Sequence, residues 1–261
     1  MIGVFDSGLG GLSVLAQIAQ ALPTADLTYL ADTAHLPYGS KPDQFIRGRV
    51  LSIGRYFAER GCGLMVVACN TATAAAVQAL RAQHPGIPVV GVEPGVKPAA
   101  ASSITRHIAV LTTESTAQSV GLTRLIRDHA SHVTVHVEAC PGWATRIETL
   151  HLDEASFAAE VAAKLVPLLD KGVDRLVLGC THYSFLMPLL ETLVAGRAEL
   201  IDVAAPVAQQ AVRLAGNHAS GSGRLCLLAS ARPERLHAAL PALGLGRLLP
   251  RINGSALLAN V

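Results

Sequence analysis

Two cysteine-containing segments share one local pattern, and this pattern constrains the fold more than any other feature. In each, a short apolar run at 64–68 or 176–179 leads into Cys69 or Cys180, then into Thr, Asn or His residues and a helix-like stretch. A continuous apolar run of this length is typical of a buried parallel strand, and the polar residues after it are typical of a helix N-cap. Each thiol should therefore lie at the carboxyl end of a strand, where helix N-termini stabilise thiolates and open α/β sheets bind ligands.

The same strand-then-helix order is repeated along the whole chain. The predicted strands are 2–5, 27–30, 64–68, 89–92, 107–111, 133–137, 176–178, 199–202 and 225–228, and helices are predicted at 10–22, 42–60, 116–129 and 153–169 and after each of the two cysteines. Alternating units of this kind predict an α/β fold with mostly parallel sheets flanked by helices. The Pro/Gly-rich stretch 93–98 is the candidate hinge. We predict two pseudo-symmetric domains that face each other across it, one from 1–97 plus 207–261 on the Cys69 side and one from 98–206 on the Cys180 side.

Composition excludes several classes of protein. Hydrophobic residues make up 51% of the 261 residues and charged residues only 15%, a bias that buried parallel sheets covered by Ala-rich helices would produce. No apolar run reaches the length of a membrane span, and the chain starts without a signal-peptide pattern. A net charge of +2 without an Arg/Lys cluster gives no support for nucleic-acid binding. Five widely spaced cysteines without a CxxC pair favour reduced thiols in the cytoplasm.

The remaining cysteines and the histidines lack a comparable context. Cys62 and Cys226 fit small buried hydrophobic residues, and Cys140 lies beside Pro141 in a predicted loop without polar followers. His182 lies two residues after Cys180 and fits a role in tuning that thiol, and the other nine histidines show no ligand spacing, so no metal is expected. The repeated context of Cys69 and Cys180 favours an acid/base pair instead, in which one thiolate acts as the base and its protonated counterpart as the acid.

The glycine-rich segment Asp6-Ser7-Gly8-Leu9-Gly10-Gly11 has two interpretations. It follows a predicted strand, opens a helix and is followed by the acidic Asp32 at the end of the next strand, as in a dinucleotide-binding loop. However, Ser13 replaces the third glycine, and Asp6 would place negative charge where a pyrophosphate binds. We therefore favour a loop that presents the Asp6 carboxylate and the Ser7 hydroxyl to a small polar ligand. The long loop around 37–39 is either an ordinary turn or a functional loop.

Taken in order, these motifs form a recognisable set. It consists of Asp6-Ser7-Gly8, Pro37-Tyr38-Gly39, Cys69-Asn70-Thr71, Glu93-Pro94-Gly95, Thr113 to Thr116, and Gly179-Cys180-Thr181-His182. This ordered set resembles the glutamate racemases of the aspartate/glutamate racemase superfamily, from Ile2 to about Asp202. The resemblance implies two similar α/β domains with the active site in the cleft between them. It also implies racemisation without a cofactor, by two bases that act on opposite faces of the α-carbon.

The resemblance implies a role for each site residue as well. Cys69 would act on the D-enantiomer and Cys180 on the L-enantiomer, with Asp6 and His182 assisting their respective thiols. The ammonium and the two carboxylates of the substrate would be held by Asp6, Ser7, Pro37, Tyr38, Gly39, Asn70, Thr71, Thr113, Thr116, Thr181 and His182. Glu148, eight positions after Cys140, falls where the family has a further acidic residue near the cleft.

The predicted function is glutamate racemisation, which supplies D-glutamate for peptidoglycan and thereby serves cell-wall biogenesis and cell shape. We expect glutamate as the small-molecule substrate, no nucleic-acid or membrane partner, and a homodimer as a possible assembly. Three alternatives stay open: a racemase of aspartate or a related amino acid, a Cys–His hydrolase or transferase with a covalent intermediate at one cysteine, and a two-domain binding protein without catalysis. Because the first predicted strand begins at Ile2, we expect no N-terminal segment for an activator.

Overall fold

Two parallel sheets organise the protein. The computed structural model describes residues 1–152 and 154–261. The strands are β1 (Ile2–Asp6), β2 (Leu27–Ala31), β3 (Leu64–Val67), β4 (Val89–Gly91), β5 (His107–Thr112), β6 (Thr134–Ala139), β7 (Arg175–Leu178), β8 (Glu199–Ile201), β9 (Leu225–Ala229) and β10 (Leu257–Leu258). One sheet has the order β10-β9-β2-β1-β3-β4 and the other the order β6-β5-β7-β8, and neighbouring strands in both run parallel.

Helices alternate with these strands along the chain. They are α1 (Leu12–Ala21), α2 (Asp43–Glu59), α3 (Asn70–Gln83), α4 (Val96–Ser102), α5 (Glu114–Ala117), α6 (Val120–His129), α7 (Trp143–Glu148), α8 (Ala155–Asp170), α9 (Met187–Val194), α10 (Ala204–Leu214) and α11 (Pro233–Ala242). Short 3-10 segments lie at Thr33–His35, Tyr38–Ser40, Thr181–Leu186, Gly216–Ala219 and Gly246–Arg251. The predicted α/β class, with parallel sheets flanked by helices, is therefore confirmed. None of the helices in the described part of the chain combines the length and the apolar character of a membrane span.

The buried strands explain the continuous apolar runs in the sequence. Every residue of β1, β2 and β3 is buried, because a parallel sheet covered on both faces leaves no face for solvent. Their side chains belong to two of the hydrophobic clusters, one on each side of the first sheet. Both faces of these strands must therefore be apolar.

Three local predictions need correction. The predicted helix at 116–129 is two helices, because Thr113 caps α5 and Ser119 caps α6 through hydrogen bonds from backbone N–H groups. The stretch after Cys180 begins as the 3-10 segment Thr181–Leu186, and α9 starts only at Met187. Each cysteine, rather than a polar residue after it, occupies the N-cap position. Asp153, where another helix is predicted to begin, lies outside the described residues, and α8 spans Ala155–Asp170.

The division of the chain between the sheets bears on the predicted domains. The strands of the first sheet come from 2–91 and 225–258, and those of the second from 107–201. The predicted limits at 97/98 and 206/207 fall inside α4 and α10, and α4 packs on β7 and α6 whereas α10 packs on α1. The domain division remains a proposal, and limits just before each of these helices would leave both helices whole.

The C-terminal segment returns to the first sheet. Strand β9 pairs with β2 along its whole length, and β10 pairs with β9. The backbone N–H of Ala259 donates to Ala229 O at 2.8 Å, and Arg49 Nη1 donates to Val261 O at 2.7 Å. This return places α11 beside the carboxyl end of β2.

Candidate active site

A cavity of about 1000 Å³ opens at the carboxyl ends of strands from both sheets. Its lining includes residues that directly follow β1, β2, β3 and β9 of the first sheet and β5, β6 and β7 of the second. Ligands of α/β proteins bind at this end of parallel strands. The two sheets therefore contribute to one site.

Cys69 and Cys180 both line this cavity and are both buried, with 6% and 8% of their surface exposed. Their nearest polar neighbours differ. Cys69 Sγ lies 4.0 Å from the Ser7 hydroxyl oxygen, whereas Cys180 Sγ lies 3.6 Å from His182 Nδ1. The two thiols occupy matched positions in the fold but have chemically different surroundings.

Asp6 connects the two halves of the site. Its Oδ1 accepts a hydrogen bond from the Ser7 backbone N–H at 2.6 Å, and its Oδ2 accepts one from the Gly11 backbone N–H. The same Oδ2 also accepts from Thr181 Oγ1, which follows β7 of the other sheet, at 3.3 Å. Burial raises the pKa of the Asp6 carboxyl above its usual 3.8, although the nearby His182 acts to lower it. A carboxyl with a raised pKa can exchange a proton at a lower cost than an exposed one.

The environment of Cys69 keeps its thiol protonated. Burial and the Asp6 carboxylate raise the pKa of Cys69 well above 9.0, and the Ala72 backbone N–H of the first helical turn opposes this effect without overcoming it. The expected stabilisation of a thiolate by the helix N-terminus is therefore outweighed at this position. This shift favours the protonated thiol of Cys69 over its thiolate.

Glu148, His182 and Cys180 form a hydrogen-bonded row. Glu148 Oε1 lies 2.5 Å from His182 Nε2 and also accepts from the Leu9 backbone N–H at 2.6 Å. Burial alone would lower the pKa of His182, but its hydrogen bonds to Cys180 and Glu148 raise the pKa well above 6.5. These hydrogen bonds favour the protonated form of the imidazole. Glu148 thus lines the cavity and contacts His182 directly.

Uncharged polar groups line the opposite part of the cavity. The Thr71 hydroxyl lies 3.4 Å from that of Thr113 and 3.3 Å from that of Thr116, and Thr113 and Thr116 are 3.1 Å apart. The Asn70 side chain is buried and lines the cavity. Neither its Oδ1 nor its Nδ2 has a hydrogen-bond partner among the described residues. Buried amides without partners are rare, and a bound ligand would satisfy this one.

The loop around Pro37-Tyr38-Gly39 lines the cavity, and the Tyr38 hydroxyl donates its proton within the protein. It donates to Asp32 Oδ2 at 2.6 Å, and Arg49 Nε and Nη2 each donate to the same carboxylate at 2.9 Å. Burial acts to raise the pKa of Asp32, but the hydrogen bonds from Arg49 and Tyr38 prevail and lower it to about 2. Asp32 and Arg49 therefore fix the loop through the Tyr38 side chain. In the sequence, Asp32 was interpreted only as part of a nucleotide loop.

The glycines after β1 leave room for the Asp6, Glu148 and His182 side chains. A Cβ at Gly10 would lie 2.5 Å from His182 Nδ1 and 2.7 Å from Asp6 Oδ2, and one at Gly8 would overlap the Glu148 carboxylate. A Cβ at Gly11 would lie 2.6 Å from Asp6 Cβ. Close packing of the site residues thus accounts for these glycines without a bound phosphate.

Of the predicted binding residues, two do not line this cavity, Asp6 and Thr116. The buried Asp6 contacts the lining residues Ser7 and Thr181, and Thr116 contacts the site through the Thr71 and Thr113 hydroxyls. The cavity wall formed by α11, with Arg232 and Arg235 among its residues, was not predicted. No local motif marks it, because it reaches the site through the pairing of β9 with β2. Among residues 1–152 and 154–261 no cluster of three or more His, Cys, Asp or Glu side chains has the arrangement of a metal site.

The chain is similar to several known proteins. Residues 2–211 match the family described as Asp/Glu/Hydantoin racemase. A glutamate racemase from Stutzerimonas stutzeri (strain A1501) is 44% identical over 245 residues, which are 93% of each chain. The crystal structure of Escherichia coli glutamate racemase in complex with L-glutamate and activator UDP-MurNAc-ala superposes with a TM-score of 0.81 at 30% identity, covering 93% of this chain and 94% of that one. A glutamate racemase isoform from Bacillus anthracis gives a TM-score of 0.83 at 27% identity, covering 100% and 97%.

Proposed function

The chain belongs to the Asp/Glu/hydantoin racemase family, and from this premise we infer that it interconverts L- and D-glutamate. It is an amino-acid racemase, an isomerase, and its relatives at 44% identity are glutamate racemases. The D-glutamate that it forms supplies peptidoglycan synthesis, and so cell-wall biogenesis and cell shape. The resemblance seen in the sequence motifs is confirmed at the level of the family.

One observation supports the reaction most directly. Two buried thiols that follow β3 and β7, in different sheets, line the same cavity. Racemisation removes the α-proton from one face of the α-carbon and returns a proton to the other face, so it needs an acid and a base on opposite sides of the substrate. Two thiols carried by two separate sheets are suited to that arrangement.

The proposed reaction assigns a starting state to each direction. From L-glutamate, Cys180 as the thiolate removes the α-proton and Cys69 donates its own proton to the opposite face. This fits the raised pKa of Cys69, which keeps it protonated. From D-glutamate, Cys69 first passes its proton to the neighbouring Asp6 carboxylate and then removes the α-proton as the thiolate, while Cys180, protonated by His182, donates its proton to the opposite face. His182, hydrogen-bonded to Cys180, assists that thiol in both directions.

Substrate binding in this scheme relies on uncharged donors. The Thr71 and Thr113 hydroxyls line the same cavity as the two thiols. So does the Asn70 amide, which has no hydrogen-bond partner among the described residues. Cys69 lines the cavity and occupies the N-cap of the 14-residue helix α3. The free backbone N–H groups of the first turn of α3 therefore lie beside the cavity, and such groups bind carboxylates well. The same donors stabilise the charge that develops on the α-carboxylate when the proton leaves. Ser7, which lines the cavity, is then placed to receive the ammonium group, with the buried Asp6 carboxylate bonded to it, and no cofactor enters the scheme.

The test follows the circular dichroism of D-glutamate and, in parallel, of D-aspartate with pyridoxal-free protein. We expect the signal to decay to zero with glutamate only. Cys69→Ser and Cys180→Ser should each slow the decay by at least about a thousandfold, whereas Cys62→Ser, which changes a buried thiol outside the cavity, should retain activity. A fully active single variant at either position would contradict the two-base mechanism, and decay with aspartate only would overturn the substrate.

The Cys180–His182 contact favours one competing function. A thiol 3.6 Å from an imidazole is an arrangement that Cys–His hydrolases and transferases also use. Such an enzyme would form a covalent adduct at Cys180 alone and would not need Cys69. Mass spectrometry of the intact protein after a rapid acid quench would detect that adduct, and its absence during turnover supports proton transfer.

We also propose that the enzyme works in the cytoplasm and forms a homodimer. All five cysteines are free, which suits a reducing compartment. A small-molecule substrate such as glutamate does not require a dimer, so the homodimer needs a separate measurement. Sedimentation equilibrium at micromolar concentration should give twice the mass of one chain if the proposal holds.

A further inference from the structure

The outer wall of the cavity carries positive charge from the C-terminal segment. Arg232 and Arg235 line it from the start of α11, and among the described residues of the lining they are the only Arg or Lys side chains. The other Asp, Glu or His side chains of the described lining are Glu114, Glu148, His151 and His182. The two arginines therefore lie at one wall of the cavity. Apart from the two histidines, the other side chains of the lining are neutral or acidic.

The chain holds this wall in place by specific contacts. Arg232 adopts a left-handed backbone conformation, with φ 51° and ψ 55°, which is uncommon for a residue other than glycine. The residue before it is fixed to the loop after β2, because the Ala231 backbone N–H donates to Thr33 Oγ1 at 3.0 Å and Thr33 Oγ1 donates back to Ala231 O. Ala34 N–H donates to Ser230 Oγ at 2.9 Å. The two arginines are thus anchored to the same loop that carries Pro37-Tyr38-Gly39.

Both guanidinium groups are free to attract an anion. Arg232 and Arg235 are exposed, and none of the ion pairs among the described residues involves either of them. Glutamate carries two carboxylates and one ammonium group and is a net anion at neutral pH. Charges of one sign at the entrance of a cleft with low-dielectric walls raise the local concentration of an oppositely charged ligand.

We propose that Arg232 and Arg235 form an anion-receiving mouth of the cavity, which concentrates the glutamate anion before it reaches the uncharged donors around Cys69 and Cys180. The proposal rests on the proposed function for the identity of the anion. The mouth acts by charge and at a distance, so it lowers KM and leaves kcat unchanged. Its effect depends on ionic strength, because the Debye length falls from about 30 Å at 0.01 M to about 8 Å at 0.15 M.

The test compares the double variant R232Q/R235Q with R47Q/R247Q. The control removes the same net charge from two exposed arginines that do not line the cavity. At 0.01 M ionic strength we expect R232Q/R235Q to raise KM for L-glutamate about three- to tenfold, the size expected for two partly screened charges. The kcat should stay within about twofold, and the control should keep the wild-type KM. At 0.15 M and above, the difference in KM should fall below about twofold.

Further measurements separate this proposal from its premise. R232K/R235K preserves the charge and should restore the low-salt KM, whereas failure to restore it would overturn a mechanism based on charge. A KM for R232Q/R235Q equal to that of the control at low salt would overturn the mouth while leaving racemisation intact. If the wild-type protein shows no racemisation, calorimetric titration with L-glutamate at both ionic strengths still tests the mouth. The same salt-dependent weakening in R232Q/R235Q supports it, and equal affinities refute it.

Discussion

Replacing Asp32 with Asn should destabilise the protein by an amount that depends on pH. The Asp32 carboxylate is fully buried and accepts hydrogen bonds from Arg49, Tyr38 and His35. Its pKa in the folded protein is about 2, against the ordinary value of 3.8. That difference corresponds to about 2.4 kcal/mol of folding free energy at neutral pH. An amide at this position keeps the shape of the side chain but removes the charge that Arg49 binds.

The sign of the pH dependence follows from the depressed pKa. A carboxylate whose pKa is lowered by folding contributes its full stabilisation above about pH 4, and the contribution is lost as the pH falls through about 2. The two pKa values give a remaining contribution of about 1.3 kcal/mol at pH 3. The gap in unfolding free energy between wild type and Asp32→Asn should therefore narrow by about 1 kcal/mol between pH 7 and pH 3.

Urea unfolding followed by far-ultraviolet circular dichroism measures this gap at both pH values. The matched control is Asp170→Asn, which breaks the ion pair with Arg197, a pair whose partners are 62% and 49% exposed. Exposed pairs contribute less than about 1 kcal/mol. Equal losses in the two variants at pH 7, or a gap for Asp32→Asn that widens at pH 3, would refute this account of the Asp32 site.

Two further predictions concern the acid/base groups. Glu148→Gln removes the anion that helps to hold the pKa of His182 high, so the imidazole should titrate at lower pH by NMR and kcat should fall about ten- to a hundredfold; an unchanged His182 titration would contradict this role. Gly10→Ala would place a Cβ within 2.7 Å of both His182 Nδ1 and Asp6 Oδ2, and kcat should fall at least about a hundredfold. Gly48→Ala, where nothing lies within 4 Å of the added Cβ, is the matched control, and equal activity of the two variants would disprove the packing argument.

Local patterns in the sequence were sufficient to predict β1 to β9 and the positions of both cysteines, but not the two-residue strand β10. The apolar runs before Cys69 and Cys180 indicate β3 and β7, because a strand that is buried on both faces consists almost entirely of apolar residues. The prediction of the helix N-caps was less accurate, because Cys69 and Cys180 occupy these positions instead of the polar residues that follow them. A cysteine side chain gives no capping signal in the sequence, and only the backbone geometry shows its position.

Contacts between distant segments could not be predicted in the same way. Glu148 is 34 positions from His182, and the hydrogen bond between them depends on how α7 packs beside the segment after β7. The bond between Tyr38 and Asp32 has a similar origin, because a turn of a few residues can direct a hydroxyl inward or outward. Arg232 and Arg235 reach the cavity only because β9 joins the first sheet beside β2.

The order of strands in the first sheet has a consequence for the synthesis of the chain. All four strands of the second sheet, from His107 to Ile201, leave the ribosome before β9 is made. Until Leu225–Ala229 emerge, the outer edge of β2 has no neighbour, and an unpaired edge is prone to join other chains. The N-terminal sheet is therefore completed last, although it begins first. A chain cut short before residue 225 would carry both cavity-lining cysteines, an open sheet edge and a cavity without its arginine wall.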